Sequence, residues 1–83
     1  MKTISYSSYQ NDGIIIDLEV PVKFNQYHLP TATNIPYEKL LFNHKEYLKK
    51  NQKYYLYCTK GRKSKKACEI LEYYGYDVTQ ITK

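Results

Sequence analysis

The segment 58–64, with the sequence Cys-Thr-Lys-Gly-Arg-Lys-Ser, holds the side chains that are best placed in this chain to do chemistry. An apolar run at residues 54–57 precedes it and predicts a buried strand, and residues 67–75 after it predict a helix. Cys58 is therefore expected at a strand end, in a tight loop before a helix N-terminus. Main-chain N–H groups at such a position favour the thiolate, which makes the sulfur a nucleophile.

Positive charge gathers around this cysteine. The chain has 13 basic residues against 8 acidic ones, which gives a net charge of +5. Lys60, Arg62 and Lys63 lie where a positive charge opposes the helix dipole, so they predict an anionic ligand beside the sulfur. Lys65 and Lys66 fit a solvated helix start equally well.

The length of 83 residues predicts a single domain, 1–83, without a linker or a repeat. The first residues lack the apolar stretch of a signal peptide. The longest apolar run, Ile14 to Ile16, is far too short to span a bilayer. We therefore expect a cytoplasmic protein that has free thiols and no membrane contact.

The remaining composition argues against two other kinds of partner. The 2 cysteines and 2 histidines do not have the spacing of a zinc site, so we expect no metal, and the sequence indicates no cofactor. The chain has 11 tyrosines, several of them on a predicted strand or at a helix end. Packing explains them better than base stacking does, so we do not expect nucleic acid as a partner.

The pattern of apolar residues predicts strands that alternate with helices. The strands are expected near residues 3–6, 14–18, 33–35, 54–57 and 77–81. The helices are expected from Pro21 to Tyr27, over residues 37–48, and from an N-cap at Ser64 to Gly75, with Ala67, Cys68, Leu71 and Tyr74 on the inward face. This order predicts an α/β fold in which helices flank a small, largely parallel central sheet.

Two sequence signatures resemble those of rhodanese-like domains. Residues 16–24 and 28–36 are similar to the first, in which a strand ending in Asp-Val-Arg leads to Glu-Phe or Glu-Tyr and then to His-Ile-Pro-Gly-Ala-x-Asn-Ile-Pro. Residues 57–64 and 75–78 are similar to the second, in which the active-site cysteine opens a Cys-x-x-Gly loop and the following helix ends in Gly-Tyr. The arginine four residues after the cysteine resembles the loop of the small phage-shock-type members.

The resemblance implies a sulfurtransferase of the thiosulfate type. Cys58 would take the outer sulfur of a small anionic donor such as thiosulfate, hold it as a persulfide and pass it to cyanide, a thiol or a protein acceptor. Lys60 matches a substrate-binding lysine of some members, and Arg62 offers a planar fork to an oxyanion. Gly61 suits an unusual backbone angle or a close approach of the donor.

The resemblance assigns supporting roles as well. Lys63 and Ser64 complete the expected donor site, while Thr59 and Asp17 are expected to support it. We expect His28, in the His-x-Pro segment, to be structural. Cys68 falls on the apolar helix face, where packing is the expected role.

The chain departs from the family pattern at several positions. Glu19 stands where arginine is frequent and Lys23 where glutamate is frequent, and we interpret this as an exchange that keeps a local ion pair. Thr31 replaces the usual glycine. The stretch before Ile14 is too short for the usual first helix, and the chain ends at Lys83, before the usual last helix. The expected fold is therefore pared down at both ends and has an open pocket.

Two other functions remain open from the sequence. A non-catalytic module of the same fold would use the basic surface to bind an acidic partner. A phosphatase or arsenate reductase would have arginine at the position that Ser64 occupies, which makes the present loop one residue too tight for that chemistry.

Overall fold

The computed structural model describes residues 1–83 and contains a five-stranded sheet. The strands are β1 (Lys2–Ser5), β2 (Ile14–Asp17), β3 (Thr33–Asn34), β4 (Lys53–Tyr57) and β5 (Asp77–Thr82). They lie in the order β1-β5-β4-β2-β3, and every pair is parallel. The prediction of an α/β fold with a parallel sheet is confirmed.

The helices connect these strands over the two faces of the sheet. They are α1 (Pro21–Gln26), α2 (Tyr37–Phe42), α3 (His44–Tyr47) and α4 (Arg62–Tyr73), and a 3₁₀ turn at Tyr6–Ser8 stands where the family's usual first helix would be. No helix of this structure has the length and the apolar composition that crossing a membrane requires.

Strand β4 shows how the sheet separates two cores. Tyr54 and Leu56 point into the larger core, which lies under α2 and α4. Tyr55 and Tyr57 point into a smaller core on the opposite face. Because side chains alternate along a strand, Cys58 falls on the side of the larger core and therefore faces α4.

The prediction of one continuous helix over residues 37–48 is wrong. The structure has two short helices, α2 and α3, which meet at Asn43. The Asn43 side chain donates a hydrogen bond to the Lys39 carbonyl at 3.0 Å, and the main-chain N–H of Asn43 donates to the same oxygen. The main-chain bond is the last of the α2 ladder, and the side-chain bond caps the same carbonyl while Asn43, with a φ of −127°, leaves the helical conformation and ends α2.

The helix that follows the cysteine begins earlier than predicted. The N-cap of α4 is Gly61, in the left-handed conformation with a φ of +80°, and Ser64 lies buried one turn inside the helix. Ala67, Cys68 and Leu71 are fully buried, as predicted, but Tyr74, the C-cap residue of α4, is 51% exposed.

Candidate active site

The cleft lies at the carboxyl edge of two neighbouring strands. β2 and β4 pair in register and end at the facing residues Asp17 and Tyr57, so the segments that leave them run side by side. In parallel α/β sheets, ligands bind at this edge. A cleft of about 210 Å³ opens here, lined by Glu19, Lys23, Cys58, Thr59, Lys60, Arg62 and Lys63.

The sulfur of Cys58 lies at the floor of this cleft. The residue is only 5% exposed, and it is one of the residues that line the cleft. The main-chain N–H of Ser64 points at Sγ at 3.2 Å, and the Ser64 hydroxyl lies 3.4 Å from Sγ. The first turn of α4 therefore presents hydrogen-bond donors to any negative charge on this sulfur.

The backbone conformation of Gly61 makes this arrangement possible. The N–H of Gly61 donates to the Cys58 carbonyl at 3.3 Å and closes the turn, and its φ of +80° sends the chain directly into α4. A side chain at this φ is strained, so glycine is the residue that the turn favours.

Four of the residues that line the cleft are cationic: Lys23, Lys60, Arg62 and Lys63. None of them takes part in an ion pair, because the ion pairs of this structure join Met1 to Glu72, Lys2 to Asp77 and Lys53 to Asp12. The side chains of Lys60, Arg62 and Lys63 are solvent-exposed. They border the cleft beside Cys58, where the sequence predicts an anionic ligand.

Not every residue predicted for substrate binding borders the cleft. Lys60, Arg62 and Lys63 do, as does the predicted supporting residue Thr59. Gly61 forms the turn behind them, and Ser64 lies fully buried beneath the sulfur, so its contribution is to the cysteine.

Glu19 corrects the interpretation of the exchanged charges. It forms no ion pair with Lys23; its carboxylate instead accepts a hydrogen bond from the main-chain N–H of Thr59 at 2.8 Å. Burial by itself raises the pKa of the Glu19 carboxyl. The hydrogen bonds from Thr59 and the charges of Lys63 and Lys23 outweigh burial, so the pKa ends below its ordinary value. Glu19 thus stays ionised and ties the start of the loop to β2.

Asp17 is fully buried at the end of β2. Its Oδ1 accepts a hydrogen bond from the Glu19 N–H at 2.8 Å, while its Oδ2 has no partner. Burial raises the pKa of Asp17 above its ordinary value, and the bond from Glu19 opposes this only in part. Asp17 does not line the cleft; it supports the segment that carries Glu19.

The other cysteine and the histidine of the first signature lie outside the cleft. Cys68 is fully buried on the inward face of α4, and burial raises its pKa to about 12, which keeps this thiol protonated. His28 stacks on Phe24 with a ring distance of 3.9 Å and bonds the Phe24 carbonyl through Nδ1. Both arrangements are those of structural side chains.

Sequence reasoning missed Gln80, which lies on β5 and is 7% exposed. Its Nε2 donates to the Gly61 carbonyl and to the Ser64 hydroxyl, both at 2.8 Å. The strand has the sequence Asp-Val-Thr-Gln-Ile-Thr, in which four residues are polar, so nothing in the sequence distinguished Gln80 from a solvent-exposed residue.

The comparisons agree with this fold. The family model described as "Rhodanese-like domain" matches residues 5–82. The chain therefore belongs to the rhodanese-like domain family. No curated protein matches it in sequence.

Solved structures of this family superpose on most of the chain. A rhodanese-related protein from Thermoplasma volcanium has a TM-score of 0.89 at 24% identity, over 99% of this chain and 84% of that one. A rhodanese-like domain protein from Staphylococcus aureus has a TM-score of 0.82 at 25% identity, over 99% and 85%. A rhodanese from E. coli, solved with anions, has a TM-score of 0.71 at 33% identity, over 83% and 82%.

Proposed function

We propose that this protein is a sulfurtransferase in which Cys58 carries sulfane sulfur as a persulfide. The observation that supports this most directly is the position of the Cys58 sulfur, 3.2 Å from the Ser64 N–H, in a residue that lines a cleft with four cations that form no ion pair. Family membership adds support, because the family includes sulfurtransferases. The anions in the E. coli rhodanese structure are in keeping with an anionic donor.

In the first half-reaction, the Cys58 thiolate attacks the outer sulfur of a donor such as thiosulfate. The new bond joins Cys58 Sγ to that sulfur, the S–S bond of the donor breaks, and its electron pair leaves with sulfite. Lys60 and Arg62 hold the sulfonate oxygens and stabilise the departing sulfite. The hydrogen-bond donors of the first turn of α4 stabilise the anionic persulfide.

In the second half-reaction, cyanide or a thiolate attacks the outer sulfur of the persulfide. That sulfur forms a bond to the acceptor, its bond to Sγ breaks, and the thiolate of Cys58 is restored. No external oxidant or reductant is needed, and no proton has to be removed from the ionised cysteine. The mechanism therefore requires no histidine base, in agreement with the positions of His28 and His44 away from the cleft.

Mass spectrometry after treatment with thiosulfate tests the proposal. We expect a gain of one sulfur atom on Cys58, and thiocyanate release once cyanide is added. Cys58→Ser should abolish both, because serine cannot hold the sulfur. Cys68→Ser is the matched control and should retain both, because the Cys68 thiol is buried and protonated.

The same samples separate the other functions of this fold. An unmodified Cys58, with no thiocyanate formed, would refute the proposal. Hydrolysis of a phosphate ester that requires Cys58 would indicate an oxyanion enzyme instead. Binding of an acidic partner that is unchanged in Cys58→Ser, together with no sulfur transfer, would indicate a non-catalytic module.

A further inference from the structure

The amide of Gln80 connects β5 to the loop that carries the cysteine. Its Nε2 lies 2.8 Å from the Gly61 carbonyl oxygen and 2.8 Å from the Ser64 hydroxyl. A carbonyl only accepts hydrogen bonds, so the amide presents its NH₂ group to the loop and spends both hydrogens there. The opposite end of the amide, Oε1, accepts from the Thr3 hydroxyl at 3.3 Å.

These bonds restrict which acceptor the hydrogen of the Ser64 hydroxyl can point to. The Gly61 carbonyl already accepts from Gln80 at 2.8 Å and from the Lys65 N–H at 3.1 Å, which uses both of its lone pairs. The Ser64 hydroxyl lies farther from that oxygen, at 3.3 Å. Its hydrogen has a second acceptor in reach, because Cys58 Sγ is 3.4 Å away and sulfur is the larger atom.

We propose that Gln80 is a positioning residue that turns the Ser64 hydroxyl toward the sulfur of Cys58. By donating to the hydroxyl oxygen and filling the Gly61 carbonyl, Gln80 leaves the hydroxyl hydrogen free to point at a charged sulfur. The thiolate then has two donors from Ser64, its main-chain N–H and its hydroxyl. When Cys58 is a neutral thiol, the direction of this second bond reverses and S–H donates to the hydroxyl oxygen.

The rate at which iodoacetamide alkylates Cys58, measured across pH, tests this inference. In Gln80→Met, a change that keeps the length of the side chain and removes its donors, the alkylation profile should move upward by about one pH unit, the effect of one hydrogen bond to a charged group. Gln52→Met is the matched control, because its amide bonds only the Lys53 carbonyl. An unmoved profile in folded Gln80→Met would overturn the inference.

A double-mutant cycle with Ser64→Ala separates orientation from simple support of the loop. If Gln80 acts through the hydroxyl, Gln80→Met should shift the profile no further in a Ser64→Ala protein. A full additional shift would mean that Gln80 acts through the Gly61 carbonyl, and the inference would be wrong. Mass spectrometry assigns the alkyl group to Cys58 rather than Cys68, and circular dichroism verifies the fold.

A milder variant keeps the test usable if Gln80→Met does not fold. Thr3→Val removes only the bond to the Gln80 carbonyl oxygen at an exposed position, and it should move the profile in the same direction by less. No movement in folded Thr3→Val would count against the inference. The importance of this contact for sulfur transfer rests on the proposed function, whereas the alkylation assay needs no sulfur transfer. An unmodified Cys58 after thiosulfate would therefore refute the function and leave the positioning role to be judged by alkylation.

Discussion

At the scale of single residues, Cys58 and Cys68 show how position separates two identical side chains. Both are buried, but Cys58 borders the cleft and receives the Ser64 N–H. Cys68 lies in α4 and packs in the apolar core, where burial raises its pKa and keeps it protonated. Access and hydrogen-bond donors, rather than the thiol itself, decide which sulfur can react.

The first prediction at this scale concerns Lys60. Lys60→Ala should raise the KM for thiosulfate about threefold to tenfold, because one exposed charge contributes about 1 kcal/mol to holding the donor. The kcat with cyanide should change less, since the substitution leaves Cys58 and the groups that donate hydrogen bonds to its sulfur unchanged. Steady-state kinetics check this, with Lys65→Ala as the control, because Lys65 does not border the cleft. An unchanged KM in Lys60→Ala would show that this lysine does not hold the donor.

The second prediction concerns the pH dependence of stability. The pKa of Asp17 is raised in the folded protein, so its contribution to the free energy of unfolding is fully present below pH 3.8 and is lost as the pH rises through the folded-state pKa. The stability of the wild type relative to Asp17→Asn should therefore improve as the pH falls from neutral. Urea titrations at several pH values measure this difference.

Glu19 provides a control of opposite sign for that titration. Its pKa is lowered, so its contribution is present above pH 4.5 and is lost as the pH falls through the folded-state pKa. The stability of the wild type relative to Glu19→Gln should therefore decline on acidification. If both differences moved in the same direction, the assigned environment of one carboxyl would be wrong.

At the scale of secondary-structure elements, periodic patterns predicted which strands are buried, but they did not predict helix ends that depend on local contacts. The β-branched run at Ile14–Asp17 and the aromatic run at Lys53–Tyr57 had to be buried on both faces, so their position in a parallel sheet followed from composition. The break at Asn43 depended on a local side-chain bond that competes with a strong helical period. The start of α4 at Gly61 depended on a left-handed glycine, whereas the sequence predicted an N-cap at Ser64.

The cleft was predictable only in part for a related reason. Cys58 and the loop cations lie together in sequence, so their proximity needs no knowledge of the fold. Glu19 and Gln80 reach the loop from other strands, across 40 and 19 residues of sequence respectively. Such contacts are set by the register of the sheet, which a single sequence does not specify.

The turn before β3 gives a prediction at this scale. Thr31 has a φ of +69°, a left-handed conformation that is strained for a β-branched residue. Thr31→Gly should relieve this strain by more than the added flexibility costs, raising the free energy of unfolding by about 0.5 kcal/mol. Thermal unfolding measures the change. Thr33→Gly, in the adjacent β3, is the control and should destabilise; a destabilised Thr31→Gly would contradict the prediction.

At the scale of the whole molecule, four of the 13 basic residues border one cleft beside Cys58. The net charge is +5, and four unpaired cations border a single cleft. A field of this kind raises the local concentration of small anions and is weakened by salt. The basic surface thus favours an anionic donor over a neutral one even before any contact is made.

Salt should therefore act on donor binding. We expect the KM for thiosulfate to rise steadily as potassium chloride is increased, and to rise less steeply in Arg62→Ala, which removes one of the four cations. The circular dichroism spectrum should stay constant over the same range. A KM that does not depend on salt would exclude the cleft cations as the source of donor affinity.

The position of β5 in the sheet also determines when the loop that carries Cys58 can be fixed during synthesis. β5 lies between β1 and β4, and it alone supplies the amide that ties the loop to the sheet. During synthesis on the ribosome, Cys58 and its whole loop are made before residues 77–82. The contacts that hold this loop are consequently completed only once β5 has been made, and a nascent chain carries Cys58 before it can hold it in place.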